Sequence, residues 1–424
     1  MSYTPASSYF QGALADTDPE IAAALAAETE RQRGGVELIA SENLVSRATL
    51  EALGSPMVNK TVEGYPGARY YGGVEHADRV ETLAIERAKA LFGATYANVQ
   101  PHSGSQANLA VFLAFLDPGD TVLSMDLAAG GHLSHGAGAN ISGNWMNIVR
   151  YGVDEAGFLD YDAMRRIAQE SKPRLIIAGG SAYPRAIDFA LFRETADAVG
   201  ATLLVDMAHW AGLVAGGAHP DPLPHADVVT ATTYKNLRGV RGGLILSNRT
   251  DLARRLDSAV FPGVQGSVIL NAVAAKAVCL HEALLPEFRD YAHSVLANAR
   301  AMAAALIERG IGVLTGGTDT PLLLVDIRPL GLTGAAASDV LETAGLTANK
   351  NGVPGDTQPP QITSGLRFGA SAGTARGMGE DDFSLIGRLA ADVLLAMASG
   401  DVDETVRDAR SIVTELVARY PIYT

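Results

Sequence analysis

From residue 80 to 250 the chain alternates helical stretches with short, continuously apolar β-rich runs, and this alternation restricts its fold more than any other feature. The helical stretches include 80–92, 106–115 and 191–199, and the clearest β-rich runs are 121–125, 147–151, 174–178, 202–206, 227–231 and 243–247. A run that is apolar at nearly every position suits a strand buried on both faces. Such a sheet carries helices on both sides, and strands joined through helices run parallel. The expected fold class is therefore α/β, a mostly parallel sheet flanked by helices. Ligands of such sheets sit beyond the carboxyl ends of the strands. Asp206, closing the run Leu203-Leu204-Val205, falls at that place, although a strand-terminal Asp is also a common helix cap.

After Pro286 the pattern changes. Phe288, Tyr291, Val295, Leu296, Ala299, Met302 and Leu306 recur at helical spacing up to Gly310, followed by a strand at 322–326 and a Gly/Pro-rich stretch at 351–365. We divide the 424 residues into an N-terminal arm and helix over 1–50, a large domain over 51–285 and a smaller C-terminal α+β domain over 286–424. Within the first part, 1–17 reads as an extended arm, and Asp16, Asp18 and Glu20 precede a helix over 21–33. The net charge of −14 argues against nucleic-acid binding, because phosphates would be repelled. A single cysteine, Cys279, excludes an internal disulfide and fits a reducing compartment. No apolar stretch approaches the ~18 residues of a spanning helix. The start of the chain does not read as a signal peptide. We expect a cytoplasmic protein with no membrane association and no metal site: His132 and His135, without further ligands, read as ordinary polar residues.

The segment most specific for chemistry runs from Thr230 to Gly243 and contains Tyr234-Lys235-Asn236 before a Gly-rich turn. A lysine amine at its ordinary pKa of ~10.4 is a poor nucleophile until its surroundings lower that value. Upstream, His102-Ser103-Gly104-Ser105-Gln106 opens a helix, offering hydroxyls and free N–H groups that suit an anion. A lysine, a phosphate cradle and a strand-terminal acid together suggest pyridoxal phosphate, with the acid keeping the pyridinium nitrogen protonated.

Several ordered motifs carry a resemblance: Leu38-Ile39-Ala40-Ser41-Glu42-Asn43, Glu63-Gly64-Tyr65-Pro66-Gly67 with Arg69-Tyr70-Tyr71-Gly72-Gly73, Asn98 to Asn108, Ser181-Ala182-Tyr183-Pro184-Arg185, Val205-Asp206-Met207-Ala208-His209 and Thr363-Ser364-Gly365-Leu366-Arg367. From 34 to 377 the chain resembles the serine hydroxymethyltransferases, fold-type-I pyridoxal phosphate enzymes. The resemblance implies that Lys235 holds the cofactor as an imine, Asp206 pairs with the pyridine nitrogen and His132 stacks on the ring. It implies that Ser103, Gly104 and Ser105 bind the phosphate, that Ser181 and His209 contact the phenolic oxygen, and that Thr232 and Gly266 complete the cofactor contacts. Arg367 would clamp the substrate carboxylate, helped by Ser41 and Tyr71. Glu63 would be the acid/base group at the substrate hydroxyl. Glu63, Tyr71 and the Gly266 loop would come from a neighbouring subunit, so a homodimer or higher assembly with shared sites is implied. The site should be cationic around Lys235, Arg238 and Arg367.

The chain departs from the family pattern unevenly. Tyr234 stands where a histidine is usual before the lysine, and is counted with the catalytic positions. Thr61 replaces a tyrosine that faces the cofactor across the dimer interface. Ala129, Ser267-Val268, Asn271 and Gln361 also differ. Groups that bind cofactor and labilise a bond at Cα are intact, and the changes gather at the one-carbon end. Two activities are compatible with that. One is transaldolase-like: a threonine or serine side chain leaves as an aldehyde through a glycine quinonoid, and another aldehyde is captured. The other is tetrahydrofolate-dependent exchange of serine and glycine. We favour the first, with tetrahydrofolate doubtful. A non-catalytic cofactor-binding protein has no reason to keep Lys235, Asp206, Arg367 and Glu63 together.

Overall fold

A computed structural model describes residues 9–424. Its centre is a seven-stranded sheet with the order Tyr96–Asn98, Gly243–Ser247, Val228–Thr232, Thr202–Asp206, Leu175–Ala178, Thr121–Met125, Asn147–Tyr151. The last five strands are mutually parallel, and Gly243–Ser247 runs antiparallel to both of its neighbours. Every residue of Leu175–Ala178, Val228–Thr232 and Gly243–Ser247 is buried, which is why those runs carry no polar alternation. The strand at Tyr96–Asn98 was not read from the sequence; three residues with an asparagine at the end carry too little pattern.

The helix Gly104–Phe115 is buried along most of its length, and Ser103 caps it by accepting from the Gln106 N–H at 3.2 Å. The long helix Pro286–Glu308 packs against Glu380–Ser399, and a four-stranded sheet is built from Gly312–Val313, Leu322–Asp326, Gly365–Gly369 and Asn349–Asn351. The N-terminal segment joins this C-terminal part: Val36–Glu37 pairs parallel with Leu346–Thr347, and the Gly369 N–H donates to the Leu38 carbonyl.

The extended arm expected over 1–17 is corrected in part. Leu14–Thr17 is a helical turn, and Asp18 caps the next helix, Pro19–Gly34, by accepting from the Ile21 N–H. Residues 1–8 lie outside the described residues. Among the described residues no helix is long and apolar enough to cross a membrane, and no three His, Cys, Asp or Glu side chains gather as metal ligands.

Candidate active site

Loops that leave the carboxyl ends of the parallel strands converge on one cavity. Its inner recess is lined by Gly104, Ser105, His132, His135, Ser181, Asp206, His209, Thr232, Tyr234 and Lys235. An outer volume of about 390 Å³ shares five of these residues and adds Ser41, Arg241 and Arg367. Asp206 ends the central strand. One carboxylate oxygen accepts from Asn108 Nδ2 at 2.8 Å and lies 2.9 Å from His135 Nε2, while the other accepts from the Ala208 N–H at 3.0 Å. Burial alone would raise this carboxyl, but the His135 and Asn108 bonds outweigh it and hold it well below the usual carboxylate range.

Lys235 follows the Val228–Thr232 strand and is 5% exposed, so its amine is poorly solvated. Burial, with smaller contributions from Arg367 and Arg241, pulls it down to about 8 against the opposing pull of Asp206. Its carbonyl accepts from Asn43 Nδ2 at 2.8 Å, so the N-terminal segment fixes the lysine's backbone. Burial likewise lowers His132 to about 4 and holds His209 well below its ordinary value, so both rings are neutral near pH 7. His132 Nδ1 lies 2.7 Å from Ser134 Oγ, Ser181 donates to the Gly131 carbonyl at 2.9 Å, and Thr232 donates to the Ala208 carbonyl at 3.1 Å. Arg367 donates to the Ser181 carbonyl at 2.6 Å and to Asn349 Oδ1 at 3.1 Å, and burial brings it down to about 10.

Four expected residues, Glu63, Tyr71, Ser103 and Gly266, are absent from the cavity lining of a single subunit. Tyr71 is 48% exposed, while Glu63 lies near Gly266, whose Cβ position would be 3.9 Å from Glu63 Oε1. Ser103 caps the Gly104–Phe115 helix by accepting from the Gln106 N–H. Arg238 is a correction: with φ of 61° it turns its guanidinium onto the ring of Tyr291, 4.1 Å away, whereas the cavity cation is Arg241, 4.5 Å above the Tyr234 ring. His135 is a second correction, being the partner of Asp206 rather than an ordinary polar residue. Asn108 and Asn43 also hold site groups that their sequence motifs had not singled out.

The recess suits pyridoxal phosphate. A helix N-terminus meets a desolvated lysine and an ionised strand-end acid, and buried His209 Nδ1 has no protein partner. Fold and site together define a fold-type-I pyridoxal phosphate enzyme. A family model described as serine hydroxymethyltransferase matches residues 14–390. A serine hydroxymethyltransferase of Acidiphilium cryptum is 57% identical over 421 residues, covering 98% of each chain. One from Paramagnetospirillum magneticum is 55% identical over 426 residues and the whole of both chains. A 2-methylserine hydroxymethyltransferase of an Aminobacter species is 56% identical over 416 residues, again 98% of each. The chain belongs to the serine hydroxymethyltransferase family and is a pyridoxal phosphate-dependent transferase acting at the Cα–Cβ bond of amino acids.

Proposed function

We propose that this enzyme moves a hydroxymethyl group between a serine-type amino acid and tetrahydrofolate, and that its substrate range includes 2-methylserine. The observation that carries the reading is Thr61. The family pattern puts a tyrosine there, facing the cofactor across the subunit interface, and exchanging a phenol for a short β-branched side chain opens space for a methyl group on Cα. Thr61 is exposed on the single subunit and stands two residues before Glu63 on the outward-facing segment. The 2-methylserine activity named for the Aminobacter relative supports the same reading. It replaces transaldolase chemistry as the favoured account of Thr61, because the change makes room at Cα without requiring a new aldehyde acceptor.

Pyridoxal phosphate, when bound, supplies the electron sink for cleavage at Cα. In this proposal the Gly104 and Ser105 N–H groups and the Ser103 and Ser105 hydroxyls would hold its phosphate at the positive end of the Gly104–Phe115 helix. Asp206, kept ionised and oriented by Asn108 and His135, would pair with the ring nitrogen. Neutral His132 can lie against the ring without adding charge. Lys235, lowered to about 8, offers a useful fraction of free amine near neutral pH. Arg367, braced by the Ser181 carbonyl, takes the substrate carboxylate and sets the rotation about Cα, which is catalysis by positioning. Glu63 of a neighbouring subunit moves the proton of the β-hydroxyl.

The test is turnover of serine, 2-methylserine and threonine, each with and without tetrahydrofolate. We expect folate-dependent cleavage of serine and 2-methylserine. Thr61→Tyr should lower kcat/KM for 2-methylserine by about tenfold or more relative to serine, the scale on which a pocket discriminates one methyl group. Folate-independent threonine cleavage with capture of a second aldehyde, alongside no turnover of 2-methylserine, would return the transaldolase reading.

A further inference from the structure

Gln100 is 2% exposed and lies between the Tyr96–Asn98 strand and the helix that opens at Gly104. Its Nε2 donates to the Gly64 carbonyl at 2.9 Å and to Glu81 Oε1 at 2.7 Å, and its own carbonyl accepts from Gln265 Nε2 at 3.0 Å. The peptides on either side are gripped as well. Nζ of Lys276, itself 1% exposed, donates to the carbonyls of Val99 at 2.7 Å, Pro101 at 2.9 Å and Gly243 at 3.1 Å. One short stretch of backbone, just before the phosphate cradle, therefore has its position fixed from three directions.

The far end of these bonds is the Glu63 segment. The Gly64 carbonyl also accepts from Arg69 Nη1 at 2.7 Å, and Arg69 Nη2 pairs with Glu81 at 2.6 Å. Gly64 has φ of 86°, and a Cβ there would stand 2.3 Å from the Ala68 carbonyl, so the turn has little freedom to readjust. The Gly266 loop joins the same segment, since the Val62 N–H donates to Ser267 Oγ at 2.9 Å and the Val268 N–H to the Val62 carbonyl at 3.2 Å. Gln100 thus touches both segments that leave the subunit's own site, through its side chain to Gly64 and through its carbonyl to Gln265. Removing its amide takes one donor from a buried carboxylate, where an unmet acceptor is costly.

We propose that Gln100 is a positioning residue linking the cofactor cradle of its own subunit to the outward-facing Glu63 segment, so that seating the phosphate in one subunit stiffens the acid/base group given to its neighbour. The final clause rests on Glu63 serving a neighbouring site; the link within the subunit does not. The test is amide hydrogen exchange on the full-length protein, cofactor-free and loaded with pyridoxal phosphate. In the unmodified protein, loading should slow exchange over 102–110 and also, by about threefold or more, over 62–70. Gln100→Met should keep the first protection and lose the second, with kcat lowered about tenfold and KM within about twofold. Gln265→Met, which removes only the donor to the Gln100 carbonyl, should weaken the second protection and provides the same reading if Gln100→Met does not fold. Equal protection of 62–70 in variant and parent, no protection of it in the parent, or joint loss of both protections in the variants would each overturn the proposal. Failure of the cross-subunit reading shows separately, in mixed dimers, and leaves the exchange result standing.

Discussion

An amine that attacks a carbonyl near neutral pH must first be free of its proton, and Lys235 meets that need through burial. The cost appears in the cofactor-free protein. Below about 8 both folded and unfolded states carry the charged amine, and the fold bears the full cost of burying it. Between about 8 and the ordinary lysine value of 10.5 the folded state releases its proton first. The unfolded state then binds more protons, so stability rises with pH through that window. Lys235→Met should remove this rise. Urea midpoints of the cofactor-free variant and parent, compared from pH 7 to 10, should converge as pH increases, closing a gap on the order of 2 kcal/mol. A constant gap would show that the amine is solvated. At this scale much of the cavity was readable, because Asp206, Ser181, His209 and Arg367 sit in ordered motifs and Lys235 in the Thr230–Gly243 segment. His135 was not, because its role depends on a 3₁₀ turn at Leu133–His135, a geometry that brings positions three apart to one side. Arg238 misled because a positive φ at a non-glycine residue has no signature in composition.

Strands and helices deliver these residues, and their tightest approach is also the most testable. Gly243 opens its strand directly against the loop before the cradle. Its N–H donates to the Pro101 carbonyl at 2.9 Å, and a Cβ on it would fall 2.4 Å from the Ser103 carbonyl. No flexible side chain is available to give way there, so Gly243→Ala must push the cap residue and the helix N-terminus from their places. We expect cofactor affinity to fall at least tenfold in an absorbance titration, while the thermal midpoint of the cofactor-free protein drops by a few degrees, the scale of about 1 kcal/mol. Unchanged affinity would mean that the cradle is set elsewhere. The 121–125, 147–151, 202–206 and 243–247 runs coincide with strands; three of them are almost wholly buried, while Asn147–Tyr151, at the sheet edge, buries only Tyr151 fully. Strand direction was less accessible: Gly243–Ser247 has the composition of its parallel neighbours, yet the short turn after Lys235 sends it back antiparallel. The pairing of Val36 with Leu346 joins positions too far apart in the chain for any local pattern to report.

At the scale of the whole molecule, one subunit's cavity is lined by cofactor-binding groups but not by Glu63, Thr61 or Tyr71, and Val58, Tyr70 and Ile269, near these residues or the Gly266 loop in the chain, are exposed apolar side chains. We propose that two copies complete each other's sites, an arrangement natural to a twofold dimer in which one patch meets itself. Separate Lys235→Ala and Glu63→Gln proteins should each be nearly inactive, the first also lacking the imine absorbance and the second retaining it. Mixing them under conditions that exchange subunits makes half of the dimers hybrid. In each hybrid, one site combines an intact Lys235 from one chain with an intact Glu63 from the other, and the second site lacks both. Recovery should therefore approach about a quarter of the parent activity for an equimolar, randomly reassorted mixture. A Glu63 that served its own subunit would give no recovery, since every site would then contain one of the two lesions. The ratio of recovered to parental activity thus reports which chain supplies the acid/base group, independently of how strongly either substitution slows the reaction.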